Sequence, residues 1–168
     1  MKPTGSMAAV KHPTDSEVWM THLVLPNDTN QLGNLLGGKL MHWIDIAAAL
    51  TAMRHAQRVC VTASVDEINF NEPIKLGHMV ILHSVITRAF RTSMEIFVEV
   101  WREDPLNGTR THTSNAFLTF VGIDQYGKPL PAPPLEPVSD EECARFEEAA
   151  IRRESRLKYR ETIRARRG

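Results

Sequence analysis

The chain has 168 residues, of which 42% are hydrophobic and 24% are charged, so it is long enough for one well-buried domain but short for two. Twenty Lys and Arg residues balance twenty Asp and Glu residues, which argues against a protein that binds nucleic acid through a global positive field. No run approaches eighteen apolar residues and the N-terminus lacks a hydrophobic signal segment, so we expect a cytoplasmic protein without a membrane span.

The first element expected along the chain is a short strand. Residues 1–20 carry two prolines and few large apolar side chains, which predicts a flexible lead-in. Residues 21–25 then read as a strand that Pro26 ends, and the Asn and Asp residues after it predict a tight loop. The ordered domain is therefore expected to begin near Thr21.

A helix of about 17 residues is predicted after the Gly37-Gly38 pair, because the segment up to His55 contains no Gly or Pro. Apolar side chains lie nearly all the way round this helix, which predicts that it is buried.

Four strand-like segments follow the helix, at residues 59–70, 79–88, 93–103 and 110–124. Their short connections make neighbouring strands antiparallel, and no second helix separates them. This order argues against a doubly wound fold. An α+β fold, with one antiparallel sheet wrapped around one central helix, is the simplest arrangement that buries both.

A helical tail is expected at the C-terminus. Five prolines between residues 129 and 137 predict an extended strap that ends the core. Ser139 and Glu142 form a capping box that opens a helix over residues 140–164. Its acids precede its bases, as in a solvated helix matched to its own dipole; a phosphate-binding or assembly arm is the alternative. The chain thus divides into a lead-in at 1–20, a domain at 21–137 and a charged helical tail at 138–168.

Asp45 is the most unusual residue of this pattern, because it places a carboxylate about two turns into an apolar helix. Burying an unpaired carboxylate is costly unless a partner or a raised pKa relieves it. The partner could be a Lys, an Arg, or His42 one turn back. We favour the other explanation, a functional acid.

The segment GNLLGGK matches the spacing of a nucleotide-binding loop, but Leu40 stands where such a loop needs a Ser or Thr to bind magnesium. A nucleotide-binding loop is therefore not predicted. Glycines before a helix have another use, because they let a ligand approach the free N–H groups of the first turn. A plain loop is the alternative. Serine nucleophile signatures are absent, and His42 and Asp45 lack a third ligand of defined spacing, so no metal site is predicted.

Four segments of the chain read LPNDTNQLGNLLGGKLMHWID, VTASVDEINFNEPIKLGH, RTSMEIFVEVW and NAFLTFVGIDQYGKPLPAP. Together they resemble the hotdog-fold acyl-CoA thioesterases, in particular the acyl-CoA hydrolase group shared by bacteria and the vertebrate brain acyl-CoA hydrolase. The resemblance covers residues 21–137 in collinear order. It implies hydrolysis of fatty acyl-CoA to free fatty acid and CoA without a metal or another cofactor, since CoA is part of the substrate.

The resemblance also implies roles for individual residues. It places the catalytic Asp at Asp45 and the catalytic Asn at Asn34, with Asn30 as the second candidate. Asp45 would act as general base on water, or as a nucleophile through a mixed anhydride. The expected substrate contacts are Gly37 and Gly38, which would hold the oxyanion, and Arg91, Thr92 and Ser93, which would run beside the pantetheine arm.

Members of this family pair two hotdog domains, so that the Asn of one subunit and the Asp of the other complete each site. We therefore expect a homodimer or an assembly of dimers, such as a trimer of dimers. Trp43, Phe70 and Phe97 are expected to influence the depth of the acyl tunnel. Two other functions stay open: a hotdog thioester dehydratase using His42, and a non-catalytic acyl-CoA binder or regulator that uses its basic tail for assembly or for nucleic acid. Truncation after Pro137 is expected to leave kcat within a few-fold.

Overall fold

The computed structural model describes residues 9–66 and 68–167, and this part of the chain contains five strands and two long helices. They are β1 (Val18–Leu23), α1 (Gly37–Ala56), β2 (Cys60–Val65), β3 (Met79–Ala89), β4 (Ser93–Glu103), β5 (Arg110–Gly122) and α2 (Asp140–Arg167). The strands form one antiparallel sheet in the order β1-β3-β4-β5-β2, curled around α1. The predicted fold class is confirmed.

The core lies between α1 and the inner face of the sheet. β4 turns four alternating apolar side chains to this face, namely Met94, Ile96, Val98 and Val100, and all four are fully buried. They belong to one cluster with Ala47 and Ala48 of α1, whose small side chains allow the helix to lie close to the strands. The alternation in β4 therefore predicted its buried face correctly.

The structure departs from the prediction near the N-terminus. Residues 11–20, which the sequence assigns to a flexible lead-in, include the start of β1 at Val18 and a 3-10 turn at Pro13–Asp15. Lys11 pairs with Leu135 in a parallel bridge, so hydrogen bonds to the proline-rich strap hold this stretch against the domain. The first part of the predicted lead-in, residues 1–8, lies outside the described residues.

β2 is shorter than predicted and lies at an edge of the sheet. It ends at Val65, whereas the sequence predicts a strand to residue 70. Within the described ranges β2 pairs only with β5, so its other edge has no partner strand. An unpaired strand edge is a ready surface for a second chain.

The capping box at the start of α2 is confirmed. The backbone N–H of Glu142 donates to Ser139 Oγ at 3.2 Å, and the N–H of Ser139 donates to Glu142 Oε2 at 3.0 Å. This motif depends only on residues three positions apart, which is why the sequence predicts it well.

Most residues of α2 are exposed, as the interpretation of a solvated helix expects, but one face of the helix packs on the sheet. It lies on the outer face of the sheet, where the guanidinium of Arg152 is 3.8 Å from the ring centroid of Phe117 and that of Arg145 is 4.9 Å from Phe97. Long arginine side chains cover apolar surface while their charged ends remain accessible. Phe97 therefore lies under α2 rather than beside an acyl tunnel.

A buried ion pair joins α2 to the sheet. The carboxylate of Glu95 on β4 has no exposed surface, and it accepts a hydrogen bond from Arg152 Nη2 at 2.8 Å. Thr87 Oγ1 on β3 donates to the same carboxylate at 2.9 Å. A buried carboxylate is tolerated only with such partners, so α2 completes the packing of the sheet.

Candidate active site

Asp45 lies in the third turn of α1, on a flank of the helix that faces β2. Its side chain is half-buried, and Thr62 Oγ1 of β2 donates a hydrogen bond to Asp45 Oδ1 at 2.7 Å. Among the described residues Asp45 forms no ion pair, so the expected alternative of a Lys, Arg or His42 partner is not found there. The hydroxyl fixes one carboxylate oxygen and leaves the other for a ligand or water.

The flank that carries Asp45 is not fully buried, although the sequence predicts a buried helix. Met41 and Met53 stand one turn before and two turns after Asp45, and they are 45% and 37% exposed. Exposed methionines beside an open strand edge are typical of a surface that another chain covers. This part of the helix is therefore incompletely covered within one protomer.

A bulge in β2 determines where Thr62 points. Thr62 pairs with Phe120 of β5, but Ser64 pairs with Thr119, so Ala63 is an extra residue in the ladder. In a regular strand Thr62 and Ser64 would share a face. The bulge turns Thr62 toward α1 and Ser64 toward the outer face, which explains the contact between Thr62 and Asp45.

The start of α1 offers free hydrogen-bond donors. The N–H groups of Lys39 and Leu40 both donate to the carbonyl of Leu36, and Leu36 has no side chain that could cap the helix. The N–H groups of Gly37 and Gly38 donate to no group within the described residues. Free N–H groups and the positive end of the helix dipole favour an anion or a polarised carbonyl at this point.

Gly37 borders a pocket of about 370 Å³ that also contacts Asn34, Leu40 and Phe70. A Cβ atom on Gly37 would lie 3.6 Å from the ring of Phe70, which is ordinary contact, so the packing within one protomer does not require this glycine. Phe70 is 49% exposed at the rim of the pocket. The pocket is therefore open to solvent beside the free N–H groups.

Asn34 and Asn30 belong to one turn before α1. Asn30 Oδ1 accepts hydrogen bonds from the N–H groups of Leu32 at 2.9 Å and Asn34 at 3.2 Å, and the N–H of Asn30 donates to the carbonyl of Asn34. These bonds make both asparagines part of a rigid turn. Asp45 lies eight residues beyond Gly37, about 12 Å along the helix axis, so one protomer does not bring Asn34 and Asp45 together.

An ion pair and an aromatic stack fix the orientation of the first turns of α1. Asp28 is nearly fully buried; the N–H of Leu25 and, next, the ammonium group of Lys39 at 3.1 Å hold its pKa below the usual value. The ring of His22 stacks on Trp43 with 4.4 Å between centroids, and burial lowers the pKa of His22. His22 is therefore a neutral aromatic partner near pH 7.

The remaining expected residues lie elsewhere. Arg91 and Thr92 lie in the turn between β3 and β4, and Ser93 is the first residue of β4. The carbonyl of Arg91 accepts a hydrogen bond from the N–H of Ala132 in the strap. His42 is exposed on α1. In the residues that the structure covers, no group of three His, Cys, Asp or Glu side chains is arranged to hold a metal ion, and no helix is long and apolar enough to cross a membrane.

Sequence reasoning missed Thr62. A Thr in a strand is ordinary, and nothing local distinguishes this one from Thr119 on the neighbouring strand. Only the register of β2 against β5, including the bulge at Ala63, brings its hydroxyl to Asp45. No sequence signal short of that register could have identified it.

Comparisons with known proteins agree on one family. The family model described as the thioesterase superfamily matches residues 32–109. A Bacillus subtilis protein named as an uncharacterized acyl-CoA thioester hydrolase is 41% identical over 146 residues, which cover 87% of this chain and 84% of that protein. The rat cytosolic acyl coenzyme A thioester hydrolase is 38% identical over 135 residues, which cover 79% of this chain but only 35% of that protein.

Two solved structures are also similar. An apo hexameric acyl-CoA thioesterase has 43% sequence identity and a TM-score of 0.86, with 89% of this chain and 96% of that chain covered. The Staphylococcus aureus acyl-CoA hydrolase, solved with butyryl-CoA, CoA and CoA disulfide, has 33% identity and a TM-score of 0.83, with 95% and 100% covered. Three more solved structures are of single variants of the Staphylococcus aureus hydrolase, in which an Asp, an Asn or a Thr is replaced by Ala. In that protein the Asn stands 15 positions before the Asp, and the Thr stands 17 positions after it.

Proposed function

The chain belongs to the thioesterase superfamily, and from this premise we propose that it hydrolyses the thioester bond of fatty acyl-CoA to give a free fatty acid and CoA. The observation that carries the proposal is the carboxylate of Asp45, held by Thr62 on a flank of α1 that one protomer leaves open. The cytosolic name of the rat relative supports a cytoplasmic location.

Asp45 acts as the general base. With Oδ1 held by Thr62, Oδ2 is free to take a proton from water as the water oxygen bonds to the thioester carbon. The resulting tetrahedral intermediate expels the thiolate of CoA, and the proton returns to that sulfur. Attack by Asp45 itself, through a mixed anhydride that water then hydrolyses, is the second possibility.

The start of α1 stabilises the developing oxyanion. The free N–H groups of Gly37 and Gly38 are oriented donors at the positive end of the helix, which is the arrangement that stabilises a tetrahedral intermediate. The neighbouring pocket, with Leu40 and Phe70 in its wall, offers apolar contacts to an acyl chain.

One amide of the turn before α1 assists the reaction. Asn34 is supported by its place in the wall of the pocket beside Gly37. Asn30 is supported by spacing, because it stands 15 positions before Asp45, and Thr62 stands 17 after, as in the Staphylococcus aureus variants. Single Asn34→Ala and Asn30→Asp variants separate the two assignments, because each removes one side-chain amide while Asn30→Asp keeps the Oδ1 that accepts the hydrogen bonds of the turn.

The active unit is a homodimer or an assembly of dimers, including a trimer of dimers. The unpaired edge of β2 and the exposed methionines around Asp45 support a partner on this side of the molecule. Asn34 lies in the turn before Gly37, and Asp45 lies about 12 Å beyond Gly37 along α1, so each site takes its amide from one subunit and its carboxylate from the other.

Subunit mixing tests the shared site. Asp45→Asn is combined with the inactivating Asn variant, and subunits are allowed to exchange. Thiol release should reappear, because up to about half of the sites in a mixed dimer carry two unmutated residues. Mixtures that exchange subunits, as shown by mass spectrometry, yet stay as inactive as both parents would place both residues on one chain.

Turnover against a panel of acyl-CoA chain lengths tests the function itself. We expect free thiol to be released, and release should survive EDTA because the mechanism uses no metal or cofactor. The panel also includes a 2-enoyl-CoA, because addition of water to its double bond without release of thiol would indicate a dehydratase using His42. Saturable binding without either product would indicate an acyl-CoA binder. Each of the last two results would contradict the proposal.

A further inference from the structure

A second pocket, of about 170 Å³, lies on the outer face of the sheet under the second half of α2. We call it the arginine pocket, and the polar residues that line it are Ser64, Ser93, Thr119, Arg153, Arg156 and Arg160. The three arginines are three and four positions apart on α2, so their side chains project from one face of the helix. The pocket therefore concentrates positive charge in a protein whose formal net charge is zero.

Among the residues that the structure describes, two of these arginines have no carboxylate partner. Arg156 pairs with Asp66 at 2.7 Å and lies 3.5 Å from Glu95, so its charge is balanced. Across the described residues, neither Arg153 nor Arg160 forms an ion pair; Arg153 lies over the ring of Phe90, 4.8 Å from its centroid. Two positive charges of the pocket, both on exposed side chains, are therefore available to an anionic ligand.

The floor of the pocket supplies hydroxyl groups. Thr119 Oγ1 is buried and has no hydrogen-bond partner within the described part of the chain. A buried hydroxyl without a partner is unfavourable and calls for an explanation, such as a ligand oxygen that accepts its hydrogen. Ser64 and Ser93 add two donors beside it. Guanidinium and hydroxyl donors around one small cavity suit phosphate oxygens.

We propose that the arginine pocket binds phosphate groups of the CoA moiety, with Arg153 and Arg160 as the charged contacts. The inference rests on the proposed function and deepens it. Ser64 stands two positions from Thr62 along β2, about 7 Å, and Thr62 holds the carboxylate of Asp45. The same short strand thus carries the support for the reacting group on its inner face and part of the phosphate site on its outer face.

Ser93 links the pocket to the substrate contacts expected from the sequence. It is the last residue of the segment Arg91-Thr92-Ser93, which is expected to run beside the pantetheine arm, and its side chain lines the pocket at the start of β4. The arm joins the thioester to the phosphates in CoA. A phosphate site at this turn is therefore in the place that the arm would require, and it gives α2 a role in binding.

The test compares a substrate with phosphates and one without them. KM and kcat are measured for an acyl-CoA and for the matching acyl-pantetheine, using wild type and Arg153→Gln/Arg160→Gln. We expect KM for the CoA ester to rise about tenfold or more, with little change in KM for the pantetheine ester. The rise of KM with ionic strength in wild type should also become weaker.

A matched control removes equal charge outside the pocket. Lys158→Gln/Arg166→Gln takes two positive charges from the same half of α2, at positions that do not line the cavity. It should keep the wild-type preference for the CoA ester. If the control raises KM as much as the pocket variant, or if the pocket variant raises KM equally for both esters, the proposal is overturned.

A measurement of CoA binding distinguishes failure of the proposed phosphate site from failure of the proposed hydrolase function. Calorimetry with CoA alone should give a Kd at least tenfold weaker for the pocket variant, whether or not the protein hydrolyses any thioester. If the pocket variant binds CoA as tightly as wild type, the proposed phosphate site is overturned. If wild type binds CoA but does not release thiol, only the proposed hydrolase function is overturned. If the double variant folds poorly, Arg160→Gln, which removes an exposed side chain, carries the same comparison.

Discussion

At the scale of single residues, the most direct prediction concerns the hydrogen-bonded pair Asp45 and Thr62. Asp45→Asn should lower the rate of thiol release by about 10²-fold or more, the usual effect of losing a general base, while the fold stays intact. Thr62→Val should lower it by less, because the carboxylate is kept but no longer held, and Thr62→Ser should restore it. Assays of thiol release measure the turnover of all three variants, and Tm serves as the control for folding. Near-wild-type turnover in Asp45→Asn would refute the mechanism.

The buried imidazole of His55 predicts a pH dependence of stability. His55 has no exposed surface, its Nε2 lies 3.0 Å from the carbonyl oxygen of Pro133, and burial lowers its pKa below the usual 6.5. The unfolded chain therefore binds a proton at a higher pH than the folded chain does. As the pH falls from 6.5 toward the lowered pKa, the free energy of unfolding must decrease.

The His55→Gln variant isolates that contribution. Its loss of stability between pH 7.5 and pH 5.5, measured by urea unfolding, should be smaller than that of wild type, because Gln does not bind a proton in this range. His112→Gln, which removes an exposed imidazole, should keep the wild-type slope. Identical slopes for all three proteins would mean that His55 does not contribute to acid sensitivity.

At the scale of secondary-structure elements, α2 should be needed for stability. Arg152→Met keeps the aliphatic stem but leaves the fully buried carboxylate of Glu95 with only Thr87 and, at 3.5 Å, Arg156. The loss should approach but not exceed about 3–5 kcal/mol of unfolding free energy, the cost of a buried charge with no partner. Adding Glu95→Gln should recover much of that loss, because the buried charge is then gone. Arg145→Met, whose ion-pair partner Glu141 is exposed, should cost far less in the same denaturation experiment.

This coupling changes the expectation for a truncated protein. The sequence alone suggests that the chain could end after Pro137 with kcat nearly unchanged. Removing α2 would uncover Phe97 and Phe117 and would take Arg152 away from the carboxylate of Glu95, so a lower Tm or aggregation is now expected before any change in KM.

Local patterns predicted more of these elements than distant contacts did. The alternation in β4 and the capping box at Ser139 involve neighbouring residues, and the sequence predicts both correctly. The ion pair between Glu95 and Arg152 joins residues 57 positions apart, so charge order along α2 could not reveal it. Asp45 could be identified from the sequence because it is charged within an apolar helix. Its partner Thr62 could be identified only from the register of β2 against β5.

At the scale of the whole molecule, the exposed flank of α1 predicts the assembly. Met53 is 37% exposed two turns beyond Asp45, and a charge there should oppose a partner subunit without touching Thr62. Met53→Glu should therefore lower the mass measured by light scattering and reduce thiol release together. Tyr126→Glu, a change at a 78% exposed residue in a turn, is the control and should leave both unchanged. A Met53→Glu protein of unchanged mass would exclude this flank from the interface.

The bulge at Ala63 allows β2 to vary in length without changing which side chains face α1. Deleting Ala63 would make Thr62 and Ser64 consecutive residues opposite Phe120 and Thr119, and consecutive residues of a regular strand still point to opposite faces. A chain one codon shorter at this position should therefore keep the bond between Thr62 and Asp45 and the place of Ser64 in the arginine pocket, whereas deleting Thr62 would remove that bond. A library of β2 length variants screened for thiol release can measure the difference, and loss of thiol release on deletion of Ala63 would show that the bulge itself shapes the site.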